Sequence, residues 1–233
     1  MMLKIFIFVI AVAIANASVQ TGFSTYTDST PVTVLTPTES AIKLTASASA
    51  IAETANPYTL LVTKMTNSLQ LSAEQTNNAN AITVQLHAQL TAASKPANQR
   101  LAAYLLATAY SDNNLQTKEE VLQTDAKKAQ IQAAYRNQGF QGRGFVHFTG
   151  AFNYFRFSKF TGIDIATYPQ NLLQANTAAK VFVYGALNGK FTGQKIERYI
   201  PAEGQFDLVA ARRAINGDIR ASDIAKLAQT LLA

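Results

Sequence analysis

Apolar residues recur at helical spacing along most of the chain beyond its first fifty positions. Tyr58, Leu61, Met65 and Leu69 share one face of a helix opened by Asn56-Pro57. Ser72-Ala73-Glu74-Gln75 is a capping box, in which a hydroxyl and a side-chain amide close the first helical turn reciprocally. Ile82, Leu86 and Leu90 continue one stripe behind it. Leu90 to Pro96 reads as a loop, and Ala97 to Tyr110 as a strong helix. Thr117-Lys118-Glu119-Glu120 has the capping-box pattern again and predicts a helix to about Tyr135. Asn137 to Gly150 is glycine-rich, and Ala151 to Phe160 predicts a short aromatic helix. Asn176 is positioned to cap a helix to Asn188, with Gly189 at its stop. Gln194 to Ile200, Asp207 to Ile215 and Ser222 to Leu232 complete a mainly α chain with little strand.

The N-terminal part differs. Met1 to Lys4 is short and basic, Ile5 to Ile14 is apolar, and Ala15-Asn16-Ala17 is a small-x-small cleavage signal. This is the pattern of a secretory signal peptide over 1–17, too short for a membrane anchor. It predicts a secreted, soluble protein. Residues 18–56 form a Ser/Thr/Ala-rich leader, with a first helix opened by the Thr36-Pro37-Thr38-Glu39 capping box. Residues 57–233 form the main helical domain, expected to be monomeric.

Composition narrows the chemistry. Hydrophobic residues make up 48% and charged ones 15%, which suits a packed domain rather than a disordered chain. The chain has no cysteine and only His87 and His147, without metal-ligand spacing, which excludes cysteine ligation of a metal and argues against a zinc hydrolase. Residues 1–134 hold 8 basic and 8 acidic residues, and residues 135–233 hold 12 and 6. The whole excess of +6 lies in the C-terminal half, where it favours anionic partners such as bacterial wall polymers. No clustered basic run or reader motif points to nucleic acid.

One stretch organises the C-terminal half: Gly142-Arg143-Gly144, then Thr149-Gly150, then Asn153-Tyr154. Phe191-Thr192-Gly193 and Ala211-Arg212-Arg213-Ala214-Ile215-Asn216-Gly217 follow. This order resembles the family 19 glycoside hydrolases, chitinases and peptidoglycan lysins, most clearly over residues 101–233. The resemblance implies a lysozyme-like helical fold with a cleft between lobes. It also implies inverting hydrolysis of β-1,4-linked N-acetylglucosamine polymers, chitin or peptidoglycan. Such hydrolysis uses a carboxylic acid and a carboxylate base about 6.5–9.5 Å apart and needs no cofactor or metal.

The family's acid is a Glu within His-Glu-Thr, at the end of a helix like Leu106-Ala107-Thr108-Ala109-Tyr110. Here Ser111-Asp112-Asn113 follows that helix, so Asp112 stands at the acid's place, one methylene shorter. Asp is also common in helix-ending turns. Glu119 or Glu120 is the second carboxylate, and Glu120 is equally the last residue of its capping box. Thr149 matches a hydroxyl that holds the attacking water, although such a hydroxyl also suits a helix cap. His147 stands where the family has a substrate-binding Gln. Asn153, Tyr154 and Asn216 match substrate-binding positions. Arg143, Arg212 and Arg213 match supporting ones, since arginine offers a planar fork of donors to carboxylates and carbonyls. Phe152, Tyr154, Phe155 and Phe157 include candidates for a sugar-stacking ring. The departures at Ser111-Asp112-Asn113 and His147 leave a second reading: a glycan-binding protein on a catalytically dead hydrolase scaffold.

Overall fold

The computed structural model describes residues 56–233, which belong to one compact unit. The signal-peptide reading of 1–17, the leader and the helix expected from Thr36 lie outside the described residues. The described residues form seven α-helices: α1 (Thr59–Leu69), α2 (Ala73–Ala92), α3 (Gln99–Asn113), α4 (Ala126–Asn137), α5 (Ala151–Thr161), α6 (Ala175–Leu187) and α7 (Ala221–Leu232). Three short 3-10 helices, Pro169–Leu173, Ile196–Arg198 and Ala210–Ala214, join them. Among the described residues there is no strand, only one isolated antiparallel bridge between Arg143 and Phe148. No helix among them is long and apolar enough to cross a membrane.

α3 is the axis of the fold. Every residue from Leu101 to Ala109 is buried, including Thr108. A helix apolar on all sides must be surrounded, and α3 packs against α1, α2 and α7. Asn98 opens it: its side-chain oxygen accepts from the Leu101 N–H at 3.0 Å. Its amide donates to the Ile200 carbonyl at 3.1 Å. The helix ends on Asn114, with φ +51°, a conformation that asparagine tolerates better than most residues. α2 begins with the expected capping box at Ser72 and Gln75 and packs against α6.

A second, aromatic cluster gathers around α5. Phe148, Tyr154 and Phe157 form its buried centre, and the Phe148 and Phe157 rings meet edge-on at 4.7 Å. Phe191 packs against both clusters. It can do so because Gly185 on α6 has no side chain: a Cβ there would lie 2.3 Å from the Phe191 ring.

The expectations for three segments are corrected. Residues 117–125 are not helical, and the Thr117 capping box does not form. The Thr117 hydroxyl donates instead to the Leu173 carbonyl at 2.6 Å, and the Glu120 N–H donates to the Gly142 carbonyl at 2.8 Å. The helix starts later, with Asp125 accepting from the Lys128 N–H. Asn176 does not cap α6, which begins one residue before it, after Gln174. The helices expected over Gln194–Ile200 and Asp207–Ile215 are reduced to single 3-10 turns.

α4 buries none of its residues. Arg136 ties its end to the Glu120 carbonyl at 2.7 Å, and Tyr135 lies against Gly150. A helix of this length is marginal without tertiary packing, so α4 should open at little cost. Brief trypsin treatment of the folded protein, read by fragment mass, should cut at Lys127 or Lys128 before any other site in residues 56–233. Early cuts elsewhere in that range with α4 intact would contradict this.

Candidate functional site

Five separate parts of the chain wall an open pocket of about 700 Å³. Asp112 comes from the last turn of α3, and Glu120 and Gln123 from the segment before α4. Val146 to Thr149 come from the glycine-rich loop, with Asn153 beside them on α5. Phe191 follows α6. Arg212, Ile215, Asn216, Ile219 and Arg220 come from the stretch before α7.

The glycine-rich loop owes its shape to Arg143. The Arg143–Phe148 bridge closes it through N–H to carbonyl bonds of 3.1 and 2.8 Å. The Arg143 side chain is buried, 6% exposed, and donates to Glu119 at 2.9 Å, the Gly139 carbonyl at 2.9 Å and the Tyr154 hydroxyl at 3.2 Å. Gly142 leaves room for Glu120: a Cβ at Gly142 would sit 2.6 Å from a Glu120 carboxylate oxygen. The Glu120 carboxylate makes no ion pair or side-chain hydrogen bond among the described residues. Since its capping box is absent, that carboxylate is free to face the pocket.

Asp112 is held differently. Its two oxygens accept from the two terminal nitrogens of Arg212, each at 2.8 Å. Arg212 is 1% exposed, and its Nε donates to the Ile219 carbonyl at 3.0 Å. Both carboxylate oxygens therefore face a donor, in the planar fork that binds carboxylates most strongly.

Thr149 and Asn153 stand side by side on the pocket wall. The Thr149 hydroxyl donates to the His147 carbonyl, and the Asn153 amide donates to the Thr149 carbonyl at 2.8 Å. Thr149 does not cap α5; Gly150, at φ +93°, precedes that helix with no side-chain cap. The Asn153 amide oxygen has no partner among the described residues. His147 has φ +50°, an uncommon conformation for a residue with a side chain. Burial lowers its pKa, against the smaller opposing pull of Glu120 and Asp112.

Three expected site residues lie elsewhere. The Glu119 carboxylate sits between Arg143 and Arg136 (3.6 Å), off the pocket wall. Partial burial pushes its pKa up, but hydrogen bonds from Gln141 and Arg143 with the charges of Arg143 and Arg136 bring it below the usual value. Tyr154 is fully buried, its hydroxyl donating to the Gln141 carbonyl at 2.8 Å, so it braces the loop rather than meeting a ligand. Arg213 is exposed and pairs with Asp218 at 3.0 Å on the surface. Of the four aromatic candidates, Tyr154 and Phe157 are core, whereas Phe152 and Phe155 are 70% and 60% exposed. His87 lies away from the pocket, edge-on to Tyr58. Gln123, Val146, Phe191, Ile219 and Arg220 are pocket residues that the sequence reading did not select. Of these, Val146 lies in the glycine-rich segment and Phe191 in the Phe-Thr-Gly step, while Gln123, Ile219 and Arg220 carry no signal in the sequence. Among the described residues no three His, Asp or Glu side chains gather as a metal site.

The low His147 pKa fixes a pH dependence. The unfolded chain binds a proton at this residue as pH falls through about 6.5, while the folded chain resists until lower pH. Stability should therefore decline from just above that value down to the folded pKa, and no further. Thermal unfolding from about pH 7.5 to about pH 5 should show wild type losing more stability than His147→Gln. Parallel curves would contradict the assignment.

Compared with models of protein families, with curated proteins and with solved structures, the chain shows no match. The likeness to family 19 rests on the short motifs alone.

Proposed function

We propose that this is a secreted, monomeric protein that binds β-1,4-linked N-acetylglucosamine polymers, chitin or peptidoglycan, on a lysozyme-like scaffold related to the family 19 hydrolases. One observation carries the reading. Six of the positions that resemble the family's site, Asp112, Glu120, His147, Thr149, Asn153 and Asn216, line one pocket although up to 104 positions separate them in sequence. The lining suits a sugar: amide and hydroxyl groups for its substituents, and Val146, Phe148 and Phe191 for its apolar faces.

Binding without efficient cleavage is the form best supported. A general acid must carry a proton on an oxygen within hydrogen-bond reach of the leaving group. Both oxygens of Asp112 accept from Arg212 instead. The free Glu120 carboxylate favours a second reading, slow inverting hydrolysis. There Glu120 takes a proton from water as the water attacks the anomeric carbon, and Asp112 protonates the departing glycosidic oxygen. That route requires the Asp112–Arg212 pair to open first.

The test is titration of soluble N-acetylglucosamine oligomers, scored for binding and for product release. Wild type should bind and release nothing, and Asn153→Ala should weaken binding about tenfold, the loss of roughly 1.4 kcal/mol, while the melting temperature falls by no more than loss of the single hydrogen bond to the Thr149 carbonyl explains. Product release abolished by Glu120→Gln would select hydrolysis. Absence of binding would remove the glycan reading.

A further inference from the structure

Arg220 stands apart among the charged residues of the pocket. Arg212 is neutralised by Asp112 through paired hydrogen bonds. Arg220 lines the same pocket and is exposed, and it makes no ion pair among the described residues. Its neighbours Asp218 and Asp223 do not take it: Asp218 pairs with Arg213. One terminal nitrogen donates to the Ser111 carbonyl, at the end of α3 beside Asp112. The remaining guanidinium donors have no partner among the described residues. The backbone there is held at φ +61°, which arginine seldom adopts, at the residue just before α7. Backbone and anchor together hold a cation with spare donors at the pocket wall.

The other free charge in the pocket, Glu120, comes from a different wall and stands beside His147, whose titration it influences. A ligand with its neutral amide and hydroxyl groups toward His147, Thr149 and Asn153 can therefore carry an anion at Arg220. We propose that Arg220 forms a subsite for a carboxylate on the glycan, so that the pocket prefers N-acetylhexosamine polymers with free lactyl carboxylates, as on peptidoglycan strands stripped of their peptides, over neutral chitin. This inference rests on the glycan reading above. A guanidinium meets a carboxylate through two parallel N–H bonds, a geometry that a neutral sugar hydroxyl does not reproduce. The +6 excess carried by residues 135–233 supplies a field of the same sign.

The test compares three oligosaccharides of equal length by calorimetric titration. One is the N-acetylglucosamine oligomer. The second carries a lactyl carboxylate on alternate sugars, and the third is that same oligomer with the carboxylate reduced to the alcohol. Wild type should bind the acidic oligomer about tenfold or more tightly than its reduced form, the scale of one charge-assisted contact. Arg220→Gln should erase the preference, read as the ratio of acidic to reduced oligomer affinity within the one variant, so that any general loss of binding cancels. Arg220→Lys should keep part of it. The reduced oligomer tests the subsite on unaltered protein, whatever the variants do to folding. Equal binding of the acidic and reduced forms by wild type, or a preference that survives in Arg220→Gln, overturns the subsite while leaving the glycan reading in place. Failure to bind any of the three overturns both.

Discussion

A buried ion pair joins the end of the central helix to the stretch that precedes the last one. Asp112 and Arg212 are 100 residues apart, and each gives up its hydration to meet the other. Taking a charge out of water costs several kcal/mol, recovered only when geometry and further hydrogen bonds are good. Here the geometry is bidentate, and the third guanidinium nitrogen is satisfied by Ile219. The same pair fixes the stretch from Ile215 to Arg220, which forms one wall of the pocket. Below it, the Tyr104 and Thr108 hydroxyls face each other one helical turn apart on α3, and the Ser111 hydroxyl has no hydrogen-bond partner among the described residues. Burial pushes the Tyr104 phenol well above its usual pKa, against the smaller pull of Arg212. In such a low-polarity setting an unpaired Arg212 is strongly disfavoured, so the ion pair has few alternatives.

The constraint that shapes the pocket also limits its chemistry. A carboxylate that closes a wall with both oxygens has none left to deliver a proton. Glu120 shows the opposite case. Its backbone is used in pairing with Gly142, and the missing side chain of Gly142 gives its carboxylate space to reach the pocket. Arg143 makes that arrangement possible by holding the loop from inside, against Tyr154 and Glu119. Two arginines thus serve as internal braces, and two carboxylates, Asp112 and Glu119, are occupied by them. The pocket keeps polar groups for recognition and one free acid, which is the basis for preferring binding over turnover.

Much of this was legible in the sequence, and the exceptions have a common cause. Helical periodicity and local caps locate α1, α2, α3, α5, α6 and α7, because those signals lie within a turn or two of each other. The Thr117 box misled because Thr117 and Glu120 find partners at Leu173 and Gly142, contacts that no local pattern records. Thr149, Asn153 and Asn216 were chosen by motif spacing and share the pocket, whereas Tyr154 turns inward, as an aromatic at core spacing commonly does. Glu119 and Glu120 are adjacent, yet a non-helical backbone sends their side chains to different surroundings, which a helical reading of the segment conceals. Arg220 carries no signal: what distinguishes it is the lack of a carboxylate partner among the described residues, and only the assembled charges reveal that.

The most direct test of the account is a double-mutant cycle on the ion pair, read by chemical unfolding. Arg212→Met should cost about 3–5 kcal/mol by leaving Asp112 buried and unpaired. Adding Asp112→Leu to it should recover much of that loss and still leave the pocket wall displaced, with weaker oligomer binding. Such non-additivity is what a tightly coupled buried pair requires. Single variants that each cost under about 1 kcal/mol, as surface pairs do, and that add without coupling would contradict the account.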